Sequence, residues 1–301
     1  MKELFLALDG ENRLRDFRKK FEDSSTKSID LFMARNPKLA PVGKCIIAFE
    51  MFRAESRSLF RERVEWEQGR RKRFQEFRSL EWFLNYKDFQ GGDWYSYFFD
   101  RLTTGITGIE NLPDFSKGEI TFITFNYDRS LEYFLYESFR NSFLDIQETQ
   151  IIQCLKSLRI LHVYGQIAPL KWQDSTQGVD YRPPINASLL HSASLNIRTI
   201  YEEQQNPELM AARDLISQAD QIFFLGFGYA PENMEVLGLS GLIPAGNCCV
   251  YGTAFGWREK ELIRVRNKIK DVLKANEIVF KHKERVVIES MDCLELLRNY
   301  L

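Results

Sequence analysis

The sequence lacks the features that define several common classes of protein. It contains no Cys-x-x-Cys pair and only three histidines, which argues against a structural zinc site. No apolar run approaches the roughly 20 residues that a membrane-spanning helix needs. The net charge of -1 gives no field to hold nucleic acid or an anionic membrane surface. The five cysteines are Cys45, Cys154, Cys248, Cys249 and Cys293, and the three histidines are His162, His191 and His282.

The remaining absences concern the cellular compartment. Residues 4–8 form a short apolar stretch that is followed at once by charge, so the sequence predicts no secretory signal peptide. Cysteines without a paired spacing are typical of free thiols in a reducing compartment. We therefore expect a cytoplasmic protein. The chain has 301 residues and is 44% hydrophobic, enough for one large core or a core with a helical subdomain.

The chain changes character near residue 110. Apolar residues recur at helical spacing before that point, for example over 42–60, and the mixed-sign run 61–78 predicts a solvated or partner-facing helix. We therefore expect a helical region over 1–110, followed by a second domain over 111–301.

The second domain alternates predicted strands with helices. The apolar segments 119–125, 158–164, 221–226 and 248–253 have the composition of buried strands, and 286–289 is a possible edge strand. This alternation predicts an α/β fold, with a Rossmann-like parallel sheet and helices on both of its faces. Ligands of such sheets bind at the carboxyl ends of the strands.

Polar residues follow the first of these strands. Asn126 and Asp128 lie where the apolar run ends and a helical pattern begins. The amide of Asn126 can serve a sugar hydroxyl or a carbonyl group. Asp128 can accept a ribose hydroxyl, or it can cap the following helix; both interpretations stay open.

The next strand carries two polar side chains on one face. Side chains alternate along a strand, so His162 and Tyr164 point the same way, and Gly165 lets another group come close. His162 is a candidate for proton transfer, although a histidine at a strand end is also common as a hydrogen-bonded core residue.

Glycines follow the last two candidate ligand-binding strands. Gly226 and Gly228 lie between a strand and a helical segment, which can present backbone N–H groups to an anion, although a Gly-x-Gly alone is weak evidence. Gly252 and Thr253 suit a flat base or a ribose lying against the backbone. An ordinary glycine-rich turn explains them equally well.

Taken in order, these motifs resemble the sirtuin-like domain family of bacterial proteins. The resemblance rests on Thr-Phe-Asn-Tyr-Asp, His-Val-Tyr-Gly, Phe-Leu-Gly-Phe-Gly-Tyr with Pro-Glu-Asn, and Gly-Thr-Ala. It extends to Ser-Ile-Asp-Leu-Phe at 28–32 and Gly-Lys-Cys-Ile-Ile-Ala at 43–48. It implies that 111–301 is a Rossmann-like domain that binds NAD, and that the helical region 1–110 covers its cleft. No zinc is expected, because the chain has no Cys-x-x-Cys pair.

The resemblance also implies functions for individual residues. Asn126 contacts the nicotinamide ribose and positions water for cleavage, and Asp128 supports the loop and the ribose. The family's usual base is a histidine directly before the glycine, where this chain has Tyr164, so either His162 as a base or Tyr164 as a hydrogen-bond donor fills that function. The other expected ligand contacts are Asp30, Tyr127, Gly165, Gly226, Phe227, Gly228, Tyr229, Asn233, Gly252 and Thr253.

The chain also departs from the family pattern. The family opens with a strand and a glycine-rich loop around the pyrophosphate, and nothing similar precedes Asp30. Either the chain is a shortened form or the fold has lost this loop. We expect weaker NAD affinity, and exposed sheet edges that favour a homo-oligomer or a partner protein.

Two functions from different classes remain. The resemblance favours an NAD glycohydrolase that yields nicotinamide and ADP-ribose, as in antiphage defence effectors. Protein deacylation is disfavoured because it accompanies a zinc ribbon with two Cys-x-x-Cys pairs. The alternative is a non-catalytic module that binds NAD, ADP-ribose or another nucleotide and regulates a partner. A plain scaffold that docks a partner through 61–78 is a third interpretation.

Overall fold

A computed structural model describes residues 2–8, 10–26, 28–57, 94–199, 202, 206–239, 248–273 and 286–301. The charged run 61–78 lies outside these ranges. The described residues form a mixed α/β structure with twelve α-helices and five parallel strands, which confirms the predicted fold class.

The helices occupy most of the described chain. Ser28 caps α3 and Asn186 caps α8, while Pro207 and Pro231 begin α9 and α10, where proline costs no hydrogen bond. The helices are α1 Lys2–Ala7, α2 Glu11–Asp23, α3 Ile29–Arg35, α4 Ala40–Arg57, α5 Trp94–Leu102, α6 Ser130–Ser142, α7 Glu148–Ser157, α8 Ala187–Asn196, α9 Pro207–Gln218, α10 Pro231–Val236, α11 Glu259–Leu273 and α12 Cys293–Tyr300.

The five strands are those that the sequence predicts, although most are shorter. They are β1 Thr121–Thr124, β2 Arg159–His162, β3 Gln221–Phe224, β4 Cys249–Thr253 and β5 Val286–Glu289. Among the described residues they form two parallel sheets, β1-β2 and β3-β4-β5. The strand predicted at an edge, β5, lies at one end of the second sheet. No described helix is long and apolar enough to cross a membrane.

The chain divides into two compact units. The first comprises residues 1–85 and 105–204 and holds the β1-β2 sheet; the second comprises 86–104 and 205–301 and holds the three-stranded sheet. The boundary expected near residue 110 stays a prediction. In the first sheet Thr124 pairs with His162, so the polar ends of β1 and β2 lie side by side.

A buried ion pair lies at the centre of the first unit. The Arg129 side chain is fully buried, and its Nε and Nη2 atoms donate to the two carboxylate oxygens of Glu55 in α4, both at 2.8 Å. The guanidinium also donates to the carbonyls of Val179 and Asp180, each at 2.9 Å. The Glu55 carboxylate accepts the backbone N–H of Arg182 at 3.0 Å. This pair therefore joins α4, the turn after β1 and the segment near residue 180.

We predict that Glu55→Gln strongly destabilises the first unit. The substitution leaves the Arg129 charge buried without its counter-ion, which typically costs about 3–5 kcal/mol. Glu50→Gln is a matched control, because Glu50 lies on the same helix in an exposed pair with Arg53, and such pairs contribute about 0–1 kcal/mol. Urea unfolding followed by circular dichroism measures both; equal losses would contradict the assignment.

Candidate functional site

The turn after β1 is held by short-range hydrogen bonds. The backbone N–H of Asn126 donates to the Thr124 hydroxyl at 3.0 Å, and the side chain of Asn126 is exposed. The Asp128 Oδ1 atom accepts the backbone N–H of Ser130 at 2.9 Å and also accepts the Ser130 hydroxyl. Asp128, one residue before the N-cap Arg129, therefore satisfies the first N–H of α6. Its contact with a ribose stays a prediction.

His162 lies beneath this turn with both ring nitrogens engaged. Its Nδ1 is 2.8 Å from the backbone carbonyl oxygen of Asn126, and its Nε2 is 2.7 Å from Oε1 of Glu132. The side-chain amide of Gln166 donates to the same Oε1. His162 is 9% exposed and Glu132 is 2% exposed, so this is a second buried polar cluster in the first unit.

The electrostatics of this cluster favour a charged imidazole. Burial alone lowers the pKa of His162, but the hydrogen bond and charge of Glu132 outweigh it, helped by the Asn126 carbonyl and the Asp128 carboxylate. The net effect raises the pKa of His162 above its ordinary value. Glu132 lies in the first turn of α6, where the helix dipole also favours a negative charge.

Sequence reasoning missed Glu132 and Gln166. One signal for Glu132 was present, because it lies three and seven residues before Leu135 and Phe139, on the buried face of α6. A carboxylate on an apolar helix face needs a polar partner. Gln166 carried no comparable signal, since its position follows from the turn after β2.

Two further predicted residues are brought together in the first unit. The Tyr127 hydroxyl donates to Oδ1 of Asp30 at 2.7 Å and approaches the carbonyl of Arg198 at 3.3 Å. Burial raises the pKa of Asp30, and the hydrogen bond from Tyr127 offsets part of that rise. This contact ties the turn after β1 to α3, so Asp30 and Tyr127 bind each other whether or not they also bind a ligand.

Tyr164 and Gly165 pack into the protein itself. Tyr164 is 4% exposed, and its ring lies edge-on to Phe125 with centroids 5.1 Å apart. Gly165 has a φ of 83°, and a Cβ there would lie 1.9 Å from the backbone carbonyl oxygen of Asn196. The close approach expected at Gly165 is confirmed, and the approaching group is the chain's own backbone.

The remaining predicted residues lie in the second unit. Gly226 and Gly228 are exposed, with φ values of 64° and 70° that favour glycine. The Thr253 hydroxyl accepts the N–H of Gly226 at 2.8 Å, which ties the glycine turn to β4. Asn233 lies within α10, a helix of only six residues, and Phe227 packs on Phe224 with centroids 5.0 Å apart.

Tyr229 covers the backbone at Gly252. A Cβ on Gly252 would lie 2.0 Å from the Tyr229 hydroxyl oxygen, so the ring end rests directly on this glycine. Tyr229 is buried, has a φ of 52°, and its hydroxyl has no hydrogen-bond partner among the described residues. Burial raises the pKa of this hydroxyl. A ligand that lay against Gly252 would have to displace Tyr229.

The thiols show no sign of activation. All five cysteines are free, and burial raises the pKa of Cys45 and of Cys154 to about 11 in each case. Such thiols are poor nucleophiles at neutral pH. Within the described ranges, no group of three or more His, Cys, Asp or Glu side chains is arranged to hold a metal ion.

Comparison with protein-family models, curated proteins and solved structures finds no significant match to this chain. The described residues define an α/β protein with parallel strands. The resemblance to the sirtuin-like family stays a prediction from the sequence motifs.

We predict that Tyr229→Phe stabilises the second unit by about 1–3 kcal/mol. The substitution removes a buried hydroxyl that has lost its hydration and has gained no hydrogen bond among the described residues. Tyr127→Phe is the matched comparison and is expected to destabilise the first unit, since it removes the donor to Asp30.

Amide hydrogen exchange, measured separately for the residues of each unit, gives the change in stability that each substitution causes. Loss of stability in Tyr229→Phe would show that this hydroxyl is paired in solution.

Proposed function

We propose that this chain is a sirtuin-like NAD-binding protein that hydrolyses NAD to nicotinamide and ADP-ribose. The observation that carries the proposal is the exposed carboxamide of Asn126 on a turn held from two sides. The Thr124 hydroxyl accepts the N–H of Asn126, and the His162 ring binds its carbonyl. The motif resemblance assigns the same asparagine to the nicotinamide ribose.

The proposed chemistry needs few protein groups. As the bond between the ribose C1′ and nicotinamide breaks, its electron pair goes to the ring nitrogen and positive charge develops on the ribose. The Asn126 carboxamide positions the water whose oxygen bonds to C1′, and that water loses a proton to solvent or to a nearby base. The Asp128 carboxylate adds favourable negative potential.

The resemblance also assigns ligand contacts to the second unit. Its exposed glycine turn, Gly226 and Gly228, offers backbone N–H groups, and Gly252 with Thr253 suits a flat base or a ribose once Tyr229 has moved. The wider proposal, a cytoplasmic effector of antiphage defence that acts as a homo-oligomer or beside a partner protein, rests on the resemblance alone.

A second candidate function is favoured by the state of the two candidate bases. Both ring nitrogens of His162 are engaged, and Tyr164 is buried against Phe125. A non-catalytic module that binds NAD or ADP-ribose and regulates a partner needs no base. It requires only that the nucleotide binds.

We expect that the purified chain releases nicotinamide from NAD and that Asn126→Ala lowers kcat by at least about 10²-fold, the usual cost of removing one positioned polar group. Asn12→Ala is the control, because Asn12 is an exposed asparagine on α2. Nicotinamide release is followed at several protein concentrations.

Equal turnover in wild type and Asn126→Ala would place the chemistry elsewhere. Absence of turnover in wild type, with NAD or ADP-ribose still bound in calorimetry, would favour the regulatory module.

A further inference from the structure

We infer that His162 is a positioning cation and not the general base, and that Glu132 is the residue that keeps it charged. In this arrangement the imidazolium holds the backbone carbonyl of Asn126 and thereby restrains the backbone from which the exposed side chain projects. The functional part of this inference rests on the proposed NAD cleavage; the charge state and the contact are properties of the fold.

The first step concerns where the ring carries hydrogen. Nδ1 faces the carbonyl oxygen of Asn126, which can only accept, so Nδ1 carries hydrogen. Nε2 faces Oε1 of Glu132 at 2.7 Å, and Oε1 also accepts from Gln166. The ordinary pKa of a carboxyl group lies about two units below that of an imidazole, so the proton between Oε1 and Nε2 belongs to Nε2. Both nitrogens then carry hydrogen, and the ring is an imidazolium.

The contact between Gln166 and His162 is unfavourable in this assignment, because it brings two N–H donors close together. Their side-chain Nε2 atoms lie 3.0 Å apart because both approach the same Glu132 oxygen. If the side-chain amide of Gln166 were flipped, its oxygen would face the Glu132 carboxylate oxygen, and neither atom could donate. The charges that face the ring are thus Glu132 from α6 and Asp128 from the turn after β1, and both are negative.

The second step concerns what the ring can do. An imidazolium has no lone pair with which to take a proton from water. If the ring lost the Nε2 proton, the freed lone pair would face the buried Glu132 and not the exposed carboxamide of Asn126. A histidine in this position is therefore a poor general base. Its Nδ1–H remains a strong, charge-assisted donor to the turn.

The third step concerns the effect on Asn126. The peptide groups on both sides of its Cα are held, one by the Thr124 hydroxyl at 3.0 Å and the other by His162 at 2.8 Å. Holding both limits the rotation of the backbone at this residue. A functional side chain must be held within about 0.5 Å of its productive position, and contacts of this kind supply that constraint.

The two interpretations of His162 predict opposite pH profiles. A general base works in its neutral form, so turnover would rise as pH increases through its pKa. A positioning cation works in its charged form, so turnover falls as pH increases through the raised pKa. The stability that the charged pair contributes follows the same sign, since it is complete below the ordinary pKa near 6.5 and is lost as pH rises through the folded value.

The charge state is tested by an NMR titration of the full chain with isotope-labelled histidine. The chain has only three histidines, and His191→Gln serves as assignment control because His191 is exposed. We expect one ring, absent in His162→Asn, to carry both ring protons at pH 7 and to titrate above its ordinary value. Glu132→Gln should lower that value. A neutral His162 ring at pH 7 in wild type would overturn the inference without any variant having to fold.

The positioning function is tested by two substitutions of His162. In His162→Asn, the new side-chain amide can place a donor where Nδ1 was. In His162→Gln, the longer side chain reaches toward the position of Nε2 instead. We expect kcat within about tenfold of wild type for His162→Asn and a larger loss for His162→Gln. Equal losses of 10²–10⁴-fold, typical of a missing general base, would overturn the inference.

If the wild-type chain does not turn over NAD, the proposed function is disproved, but the contact between His162 and the Asn126 carbonyl is not. That contact is then tested by the chemical shift of the Asn126 carbonyl carbon. We expect it to change in His162→Gln and to stay near wild type in His162→Asn. An unchanged shift in both variants would show that His162 does not hold this carbonyl in solution.

Discussion

The buried ion pair between Arg129 and Glu55 is the interaction on which the architecture of the first unit depends. A guanidinium removed from water costs several kcal/mol unless its donors are satisfied, and here they bind a carboxylate and backbone carbonyls. Because Arg129 directly follows Asp128, the pair also fixes the exit of the turn that carries Asn126. The position of an exposed polar group is thus set by a charge at the centre of the unit.

The turn after β1 lies between two buried ion pairs of similar chemistry. Arg129 with Glu55 secures its end, and His162 with Glu132 secures its beginning. In each pair the partners are specified by hydrogen-bond geometry. Such pairs add less to stability than apolar packing of the same volume, but they tolerate fewer alternative arrangements. A turn held in this way has a defined shape.

The sequence predicted the strands better than the contacts of the candidate site. Apolar, β-branched runs identified the five strands of the described residues, and Asn126 and His162 were each predicted at a strand end, but their contact with each other was not. The partner of His162 was not predicted, because a single acidic residue in a helix is usually solvated. The burial of Arg129 was not predicted either, because a single basic residue at the start of a helix is usually solvated too. The contact of Tyr229 with Gly252 depends on the path of the glycine turn, which local sequence does not determine.

The position of the Tyr229 ring against Gly252 affects the affinity of any ligand that binds at this glycine. A ligand that needs this glycine binds only those molecules in which the ring has left, so its apparent dissociation constant is the intrinsic one divided by that fraction. The left-handed backbone of Tyr229 and its hydroxyl, which has no partner among the described residues, both weaken the arrangement in which the ring covers Gly252, and so increase this fraction. The Tyr229 side chain therefore acts as an internal competitor for any ligand that needs the backbone at Gly252.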